Sequence, residues 1–208
     1  MKPRSMFGSR AFWLRQMRQW HWISAAVCLI GMLLFAVTGV TLNHASQIEA
    51  RPHITLVKGT LPSEIADALR ASPGRDKQPL PPALQRWLAT TMGVDVGGRD
   101  AEWSKEEIYV PLPRAGGDAW VSIETETGDV RYEKTDRGWI AFLNDLHKGR
   151  NTGTAWSWFL DIFAAGCVLF CVTGLVLLQL MANGRPSTWP LVGLGLAIPL
   201  LLVLLFIH

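Results

Sequence analysis

Charged residues are missing from two long stretches of the chain, and a third stretch holds a single one. Residues 22–42 and 189–207 contain no Asp, Glu, Lys or Arg, and residues 155–182 contain only Asp161. An apolar run of about 20 residues is long enough to cross the roughly 30 Å hydrocarbon core of a bilayer. The pattern excludes an ordinary soluble protein and predicts three transmembrane helices, the third of which contains Pro199.

Cysteine is also scarce, and the redox motifs of soluble enzymes are absent. Cys28, Cys167 and Cys171 all lie in the predicted spans, so they form neither a disulfide framework in an exported domain nor a redox C-x-x-C. We interpret them as small apolar side chains. No Gly-rich turn joins a strand to a helix, which excludes the usual flavin or nicotinamide fingerprint. We expect no nucleic-acid partner.

Basic residues at the N-terminus predict the orientation of the chain. The first 21 residues contain no acid and five basic side chains, Lys2, Arg4, Arg10, Arg15 and Arg18. Basic residues that flank a span stay in the cytoplasm. We therefore expect a bacterial inner-membrane protein with a cytoplasmic N-terminus and a periplasmic segment after the first helix. A cleaved signal peptide is the alternative, but the apolar run exceeds the usual h-region of about 7–15 residues.

The expected fold is a membrane protein of three transmembrane α-helices with a small α+β domain inserted after the first. Residues 45–154 hold 14 basic and 16 acidic residues, a composition typical of a soluble domain. The predicted segments, in chain order, are a basic amphipathic cytoplasmic segment (1–21), transmembrane helix 1 (22–44), the periplasmic domain (45–153), transmembrane helix 2 (154–182), a cytoplasmic loop (183–188) and transmembrane helix 3 (189–208).

Within the domain, two helices are expected to precede an antiparallel sheet. The spacing of apolar residues predicts helices within 61–72 and 81–93, joined by a linker at 75–82. A strand is predicted at 108–112, and a hairpin turn is predicted at Gly128, which supplies a positive φ. The acidic residues are scattered, and no catalytic constellation is recognisable.

Two histidines are predicted to lie on the same side of the membrane, at the ends of different helices. His44 closes the outward end of the first helix, and His147 comes just before the second. Two imidazoles at one depth suit the axial positions of a b-type haem. Thr38 and Gly39 offer a small surface against which a macrocycle can lie. We therefore predict haem b, with His44 and His147 ligating its iron and Thr38 and Gly39 in contact with it.

Three further residues are weaker candidates for a cofactor site. His21 lies 23 residues before His44, roughly 34 Å along a helix, so it either ligates a second haem with another subunit or anchors the helix at the headgroups. His208 ends the third helix and can approach the haem. Asp161 is ionisable within a span, where it either holds a Trp indole or a ligating imidazole, or lies at the interface. His53 has no evident partner.

One phrase occurs in both of the first two spans. GMLLFAVTGVTL, which begins at Gly31, is matched by GCVLFCVTGLVL, which begins at Gly166, at a constant offset of 135. The two helices are predicted to run in opposite directions, so the copies form an inverted pair. Small residues allow a helix or a cofactor to approach closely, and for the second copy both roles stay open.

Two stretches of the chain resemble a known family of membrane proteins: RQWHWISAAVCLIGMLLFAVTGVTLNH and FLNDLHKGRNTGTAWSWFLDIFAAGCVLFCVTGLVLL. They resemble the PepSY-associated transmembrane helix family, in which a helix begins near H-x-W and ends in a T-G phrase. A periplasmic PepSY-like module follows, and L-H-x-G precedes another helix with its own T-G. The resemblance implies that the α+β domain is PepSY-like. Some longer relatives, with four or more spans, are haem-containing inner-membrane reductases that release iron from siderophores in the periplasm.

The expected function is electron transfer by haem b from quinol or a protein donor to a periplasmic acceptor, which the resemblance implies is a ferric siderophore complex or a protein. In the rival interpretation, the PepSY-like segment binds a partner or inhibits a peptidase, and the helices anchor it in membrane lipid or in a larger complex. The sequence leaves open whether the chain is a homo-oligomer or a subunit of a complex.

Overall fold

The structure, a computed structural model, describes residues 10–49, 51–71 and 76–207. It contains two compact units, which we call the helical unit (the described residues of 1–34 and 158–208) and the domain unit (35–157). In chain order the elements are α1 (Arg10–Asn43), β1 (His53–Thr60), α2 (Ser63–Ala71), β2 (Lys77–Pro79), α3 (Pro82–Trp87), β3 (Asp100–Trp103), β4 (Glu107–Pro111), β5 (Gly117–Glu124), β6 (Asp129–Asp136), α4 (Trp139–Lys148), α5 (Thr154–Met181) and α6 (Thr188–Phe206).

Three helices in the described part of the chain, α1, α5 and α6, are long and apolar enough to cross a membrane. The bounds of α5 and α6 lie within two residues of the predicted spans, and α6 continues through Pro199. The helix α1 begins at Arg10, so it includes part of the predicted basic segment as well as the predicted span that starts at residue 22. Residues 10–21 contain no Gly or Pro, so nothing in the basic segment interrupts the helix.

The repeated phrase packs α1 against α5 within the helical unit. A methyl group added to Gly31 would run into the ring of Phe163, and one added to Gly166 would run into the thiol of Cys28, which is fully buried. The offset of 135 that aligns Gly31 with Gly166 also aligns Cys28 with Phe163. The two contacts are therefore the same contact with the helices exchanged. This part of the repeat serves helix packing, which the sequence left as one of two roles.

The domain unit is built on a six-stranded antiparallel sheet in the order β1-β6-β5-β4-β3-β2. Its core is closed by Leu84 and Leu88 from the helical segment and by Ile108, Val121 and Ile123 from the strands, all fully buried. The α+β class predicted from the sequence is confirmed. The hairpin between β5 and β6 is confirmed as well, with Gly128 at φ 75°.

Three strands, β1, β2 and β3, were not predicted, and the first two correct the expected order of helices followed by a sheet. β1 precedes both helices and pairs with β6, and β2 lies inside the stretch expected to be a linker. Most side chains of β1 are exposed, including Ile54 and Leu56, so β1 lacks the alternation that marks a half-buried strand. The second predicted helix continues past α3 as a π-helical turn, Leu88–Met92, and ends at Gly93 as expected.

Candidate functional site

His147 lies on α4, a helix that the sequence did not predict, and its imidazole contacts the end of α1. Its Nδ1 lies 2.7 Å from the Thr38 hydroxyl oxygen. That hydroxyl also has the carbonyl of Phe35 in its own helix as an acceptor at 3.2 Å, and with its proton directed there its oxygen accepts from the Nδ1–H of His147. In the neutral imidazole, Nε2 then carries the lone pair that a metal can bind.

The ring of His147 also packs closely on α1. Its centroid lies 4.8 Å from that of Phe35, with the planes tilted by 39°. A Cβ at Gly39 would lie 3.6 Å from His147 Cε1, which is ordinary van der Waals contact. Thr38 and Gly39 therefore contact the predicted ligand itself, and their contact with a macrocycle stays a prediction.

Polar contacts on the inward face of α4 hold His147 in place. The hydroxyl oxygen of Thr41, one turn of α1 after Thr38, lies 2.9 Å from the side-chain oxygen of Asn144 and 2.9 Å from the Thr38 carbonyl, so its one proton has both as possible acceptors. Asp145 is almost fully buried, accepts from the backbone N–H of Gly116 at 2.9 Å and pairs with Arg150 at 2.7 Å. Buried polar groups that are fully hydrogen-bonded give a rigid local structure. Neither residue stands out in the sequence.

The segment NDLHKGRNTG, residues 144–153, contains the residues that end helix α4. Gly149 adopts a left-handed conformation at φ 66°, the usual way for a helix to stop. Asn151 is also left-handed, at φ 58°, and asparagine tolerates this conformation better than most residues. The indole of Trp156 donates to the carbonyl of Leu146 at 2.9 Å. The motif therefore fixes the position of His147 at the C-terminal end of α4.

His44 lies in the turn that follows α1, and its side chain is exposed. Its Nδ1–H donates to the carbonyl of Val40 at 2.9 Å, so Nε2 again carries the lone pair of the neutral ring. Within the described residues, the imidazoles of His44 and His147 share no hydrogen bond and no ring contact. Axial ligands lie on opposite faces of a macrocycle, so they need not touch each other.

His21 occupies an equivalent setting in the helical unit, where the second copy of the repeated phrase holds it. Its Nδ1–H is shared between the carbonyl of Phe170 and the hydroxyl oxygen of Thr173, each at 3.1 Å. The Thr173 hydroxyl itself donates to helix carbonyls, the nearer being that of Leu169 at 2.7 Å. The imidazole stacks on Phe170 at 4.4 Å, and a Cβ at Gly174 would lie 3.2 Å from its Cε1.

The phrase F-x-x-T-G therefore forms an imidazole-binding motif twice. In each copy the threonine oxygen receives Nδ1–H, the phenylalanine lies against the ring and the glycine lies beside Cε1. Metal-ligating histidines in general give their second ring N–H to a carbonyl or another protein acceptor, which fixes the tautomer. The alignment of the two copies was visible in the sequence, but the histidine partner of each copy was not.

The other predicted site residues are placed apart from these contacts. Asp161 is exposed on α5, no hydrogen bond or ion pair is found for it among the described residues, and the Trp156 indole has the Leu146 carbonyl as its partner. His53 is the first residue of β1, opposite Asp136. His208 lies outside the described residues. In the part of the chain that the structure describes, no group of three or more His, Cys, Asp and Glu residues is placed to hold a bare metal ion.

Comparison with known proteins gives one match. The family model described as PepSY_TM-like matches residues 12–208, which is nearly the whole chain. No curated protein and no solved structure matches it.

Proposed function

The chain belongs to the PepSY_TM-like family, and we propose that it is a haem b protein of the bacterial inner membrane that passes electrons to a periplasmic acceptor. One observation carries the proposal: Nδ1 of His147 lies 2.7 Å from the Thr38 hydroxyl and Nδ1 of His44 lies 2.9 Å from the Val40 carbonyl, so each ring has a protein partner at Nδ1 and keeps Nε2 for a ligand. This is the tautomer that metal-ligating imidazoles adopt in general.

The residues present fit the cofactor by the chemistry of their donor atoms. Two neutral imidazoles are the ligand set of a six-coordinate haem, which supplies one-electron chemistry when bound. His44 and His147 would hold the iron. Thr38 and the Val40 carbonyl orient these two rings, and both belong to the last turns of α1. A site for electron transfer needs such rigid support because its geometry should change little with charge.

The support of His147 extends into the soluble domain. Asp145, one residue before it, accepts from the N–H of Gly116, the residue that precedes β5. The same glycine has φ 75°, and a Cβ there would meet the backbone of Phe142 in α4. The domain therefore clamps α4 at a position where only glycine fits. In the proposed function, the PepSY-like domain has the role of holding the ligand helix.

A cavity in the domain unit is a suitable place for the acceptor. Its volume is about 450 Å³, and its lining includes Arg51, Arg137, Trp139 and Asn144. Two arginines and an exposed tryptophan suit an anionic, partly aromatic molecule, as ferric chelates often are. Glu49 is also in the lining and pairs with Arg51 at 3.7 Å, so Arg137 is the stronger candidate for binding an anion.

The orientation in this proposal rests on charge. Five basic residues and no acid precede the first span, which favours a cytoplasmic N-terminus and a periplasmic domain. A reporter fused in the exposed turn at Gly97 tests this directly, because an alkaline phosphatase is active there only if the domain is exported. Activity of a cytoplasmic reporter at the same position would contradict a periplasmic location of the domain, and therefore a periplasmic acceptor.

A second candidate function is that of a binding module, and the exposed edge of the sheet favours it. β1 is the terminal strand, hydrogen-bonded to β6 alone within the described sheet, and Ile54 and Leu56 are 58% and 49% exposed on it. A free edge with apolar side chains can receive a strand from a partner. In this case the helices serve as the membrane anchor.

The visible spectrum of the purified protein separates the two functions. Protein from haem-replete cells should show the sharp reduced α-band of a low-spin b-type haem, with about one haem per chain expected from a single pair of axial ligands. Protein that is folded, as judged by its elution and circular dichroism, but carries no haem would contradict the proposal and favour the binding module.

A further inference from the structure

The helical unit contains a cavity that the proposed function does not use. Its volume is about 540 Å³, within the range of small-molecule sites. His21 lines it together with the second half of α5, the segment after α5 and the first residue of α6. Most lining side chains are apolar, among them Phe170, Leu175 and Leu178. A ligand that fills it should therefore be largely apolar.

His21 offers this cavity one defined polar atom. Its Nδ1–H is engaged with Phe170 and Thr173, and Phe170 stacks on one face of the ring at 4.4 Å with the planes 17° apart. Gly174 lies beside Cε1. Because Nδ1 is already engaged and hydrogen bonds to imidazole nitrogens lie in the ring plane, a ligand that hydrogen-bonds to His21 would use Nε2. In the neutral ring, this atom accepts a hydrogen bond.

Arg185 offers the cavity a donor of fixed charge. It lies in the segment between α5 and α6 and lines the same space as His21. No Asp or Glu is among the described residues that line the cavity, so the guanidinium has no carboxylate partner there. The site thus combines one acceptor, one cationic donor and an apolar wall.

We propose that this cavity binds a membrane quinol. A quinol has a hydroxyl that donates to Nε2 of His21, a second oxygen that accepts from Arg185, and an apolar ring and tail that suit the remaining walls. An anionic phospholipid is the competing occupant, but its phosphate only accepts hydrogen bonds at neutral pH, so it satisfies Arg185 and leaves a neutral His21 without a donor. The inference rests on the proposed function in one respect, since quinol is one of the two classes of electron donor that this function allows.

Photolabelling of the full-length protein in nanodiscs with an azido-benzoquinone tests the inference. Label should map by mass spectrometry to residues 170–188, and decylubiquinol should compete for it. His21→Ala and Arg185→Gln should each weaken labelling by about tenfold or more, as expected for losing one hydrogen bond in an apolar site. Haem content in these two variants should match the wild type, which also shows that they fold.

His44→Ala is the crossed control, because it should lose haem and keep the label. If the wild type takes up no label, or if phosphatidylglycerol competes and decylubiquinol does not, the quinol site is wrong while the haem proposal stands. If wild-type protein holds two haems and His21→Ala loses one, the cavity is a haem site and the inference is overturned. If no haem is found in any protein but the label is lost only with His21 and Arg185, the quinol site stands and the proposed function fails.

Discussion

The Nδ1 atom of His147 and the hydroxyl oxygen of Thr38 lie 2.7 Å apart, although 109 residues separate them in the chain. When the threonine hydroxyl donates to the carbonyl of Phe35, its oxygen accepts the Nδ1 proton of His147 and leaves Nε2 for a ligand. His21 and Thr173 repeat the relationship at 3.1 Å. The last turns of a membrane helix are thereby used to orient an imidazole, which gives the repeated T-G phrase a chemical purpose.

Removal of the Thr38 hydroxyl should weaken the site without removing a predicted ligand. Thr38→Val keeps the shape of the side chain and loses the acceptor for Nδ1–H. Loss of such an outer partner of a metal ligand typically lowers metal affinity by about 10–100-fold. We expect haem retention to fall by about tenfold and the midpoint potential to shift, both measured on purified protein. Thr38→Ser should restore both values, and Thr55→Val on the exposed β1 strand should change neither.

Gly39 offers a test of where a macrocycle lies. A methyl group there meets His147 Cε1 at 3.6 Å, so Gly39→Ala leaves the imidazole in place, and alanine favours a helix over glycine. If the macrocycle lies against Gly39, as the sequence predicts, Gly39→Ala should lower haem content while the melting temperature holds. Unchanged haem content would mean that Gly39 serves only to seat His147.

The reciprocal glycine contacts of α1 and α5 predict compensating mutations. Gly166→Ala drives a methyl group into the Cys28 thiol, and overpacking of this kind costs about 1–3 kcal/mol. Thermal unfolding in detergent should show a lower midpoint for Gly166→Ala and recovery in the double variant with Cys28→Ala. Gly193→Ala in α6, where a Cβ meets open space, is the matched control. A double variant no more stable than Gly166→Ala would refute the contact.

Asp145 should matter for stability far more than a surface acid. Asp145→Ala removes the partner of the Gly116 N–H and of Arg150, and a buried donor left without a partner costs about 1–3 kcal/mol. Asp67 forms an exposed ion pair with Arg70, so Asp67→Ala should lower the free energy of unfolding by only about 0–1 kcal/mol. Denaturation followed by circular dichroism compares the two. Equal effects would mean that Asp145 does not hold α4 in place.

The sequence predicts the parts of this molecule that follow from local pattern. Uncharged runs mark α5 and α6, and the turn residue Gly128 marks the hairpin of β5 and β6. The extension of α1 back to Arg10 does not follow from the apolar run, because a helix has no physical reason to end where its apolar part ends. β1 is missed because an exposed edge strand carries no alternation of burial. The short helix α4 is missed because its last residues belong to the L-H-x-G motif, which predicts only that a membrane helix follows.

The site is only partly predictable for a different reason. His147 and Thr38 are each noticeable in the sequence, His147 by its motif and Thr38 by the repeat, but their pairing depends on tertiary structure. Asn144 and Asp145 resemble ordinary polar residues until the fold buries them beside Thr41 and Gly116. The sequence pattern can therefore identify candidate ligating imidazoles. The side chains and carbonyls that hydrogen-bond to them are known only from the packing of the helices.

The most direct test of the central claim is the reduced visible spectrum and haem content of three single variants, His44→Ala, His147→Ala and His53→Ala. Each of the first two removes one proposed axial ligand, so each should lose the low-spin α-band or convert it to a high-spin spectrum, with haem content reduced. His53→Ala, which alters an imidazole at the start of β1, should keep the wild-type spectrum and one haem per chain. A wild-type spectrum and full haem content in both His44→Ala and His147→Ala would contradict the assignment of this pair as the ligands.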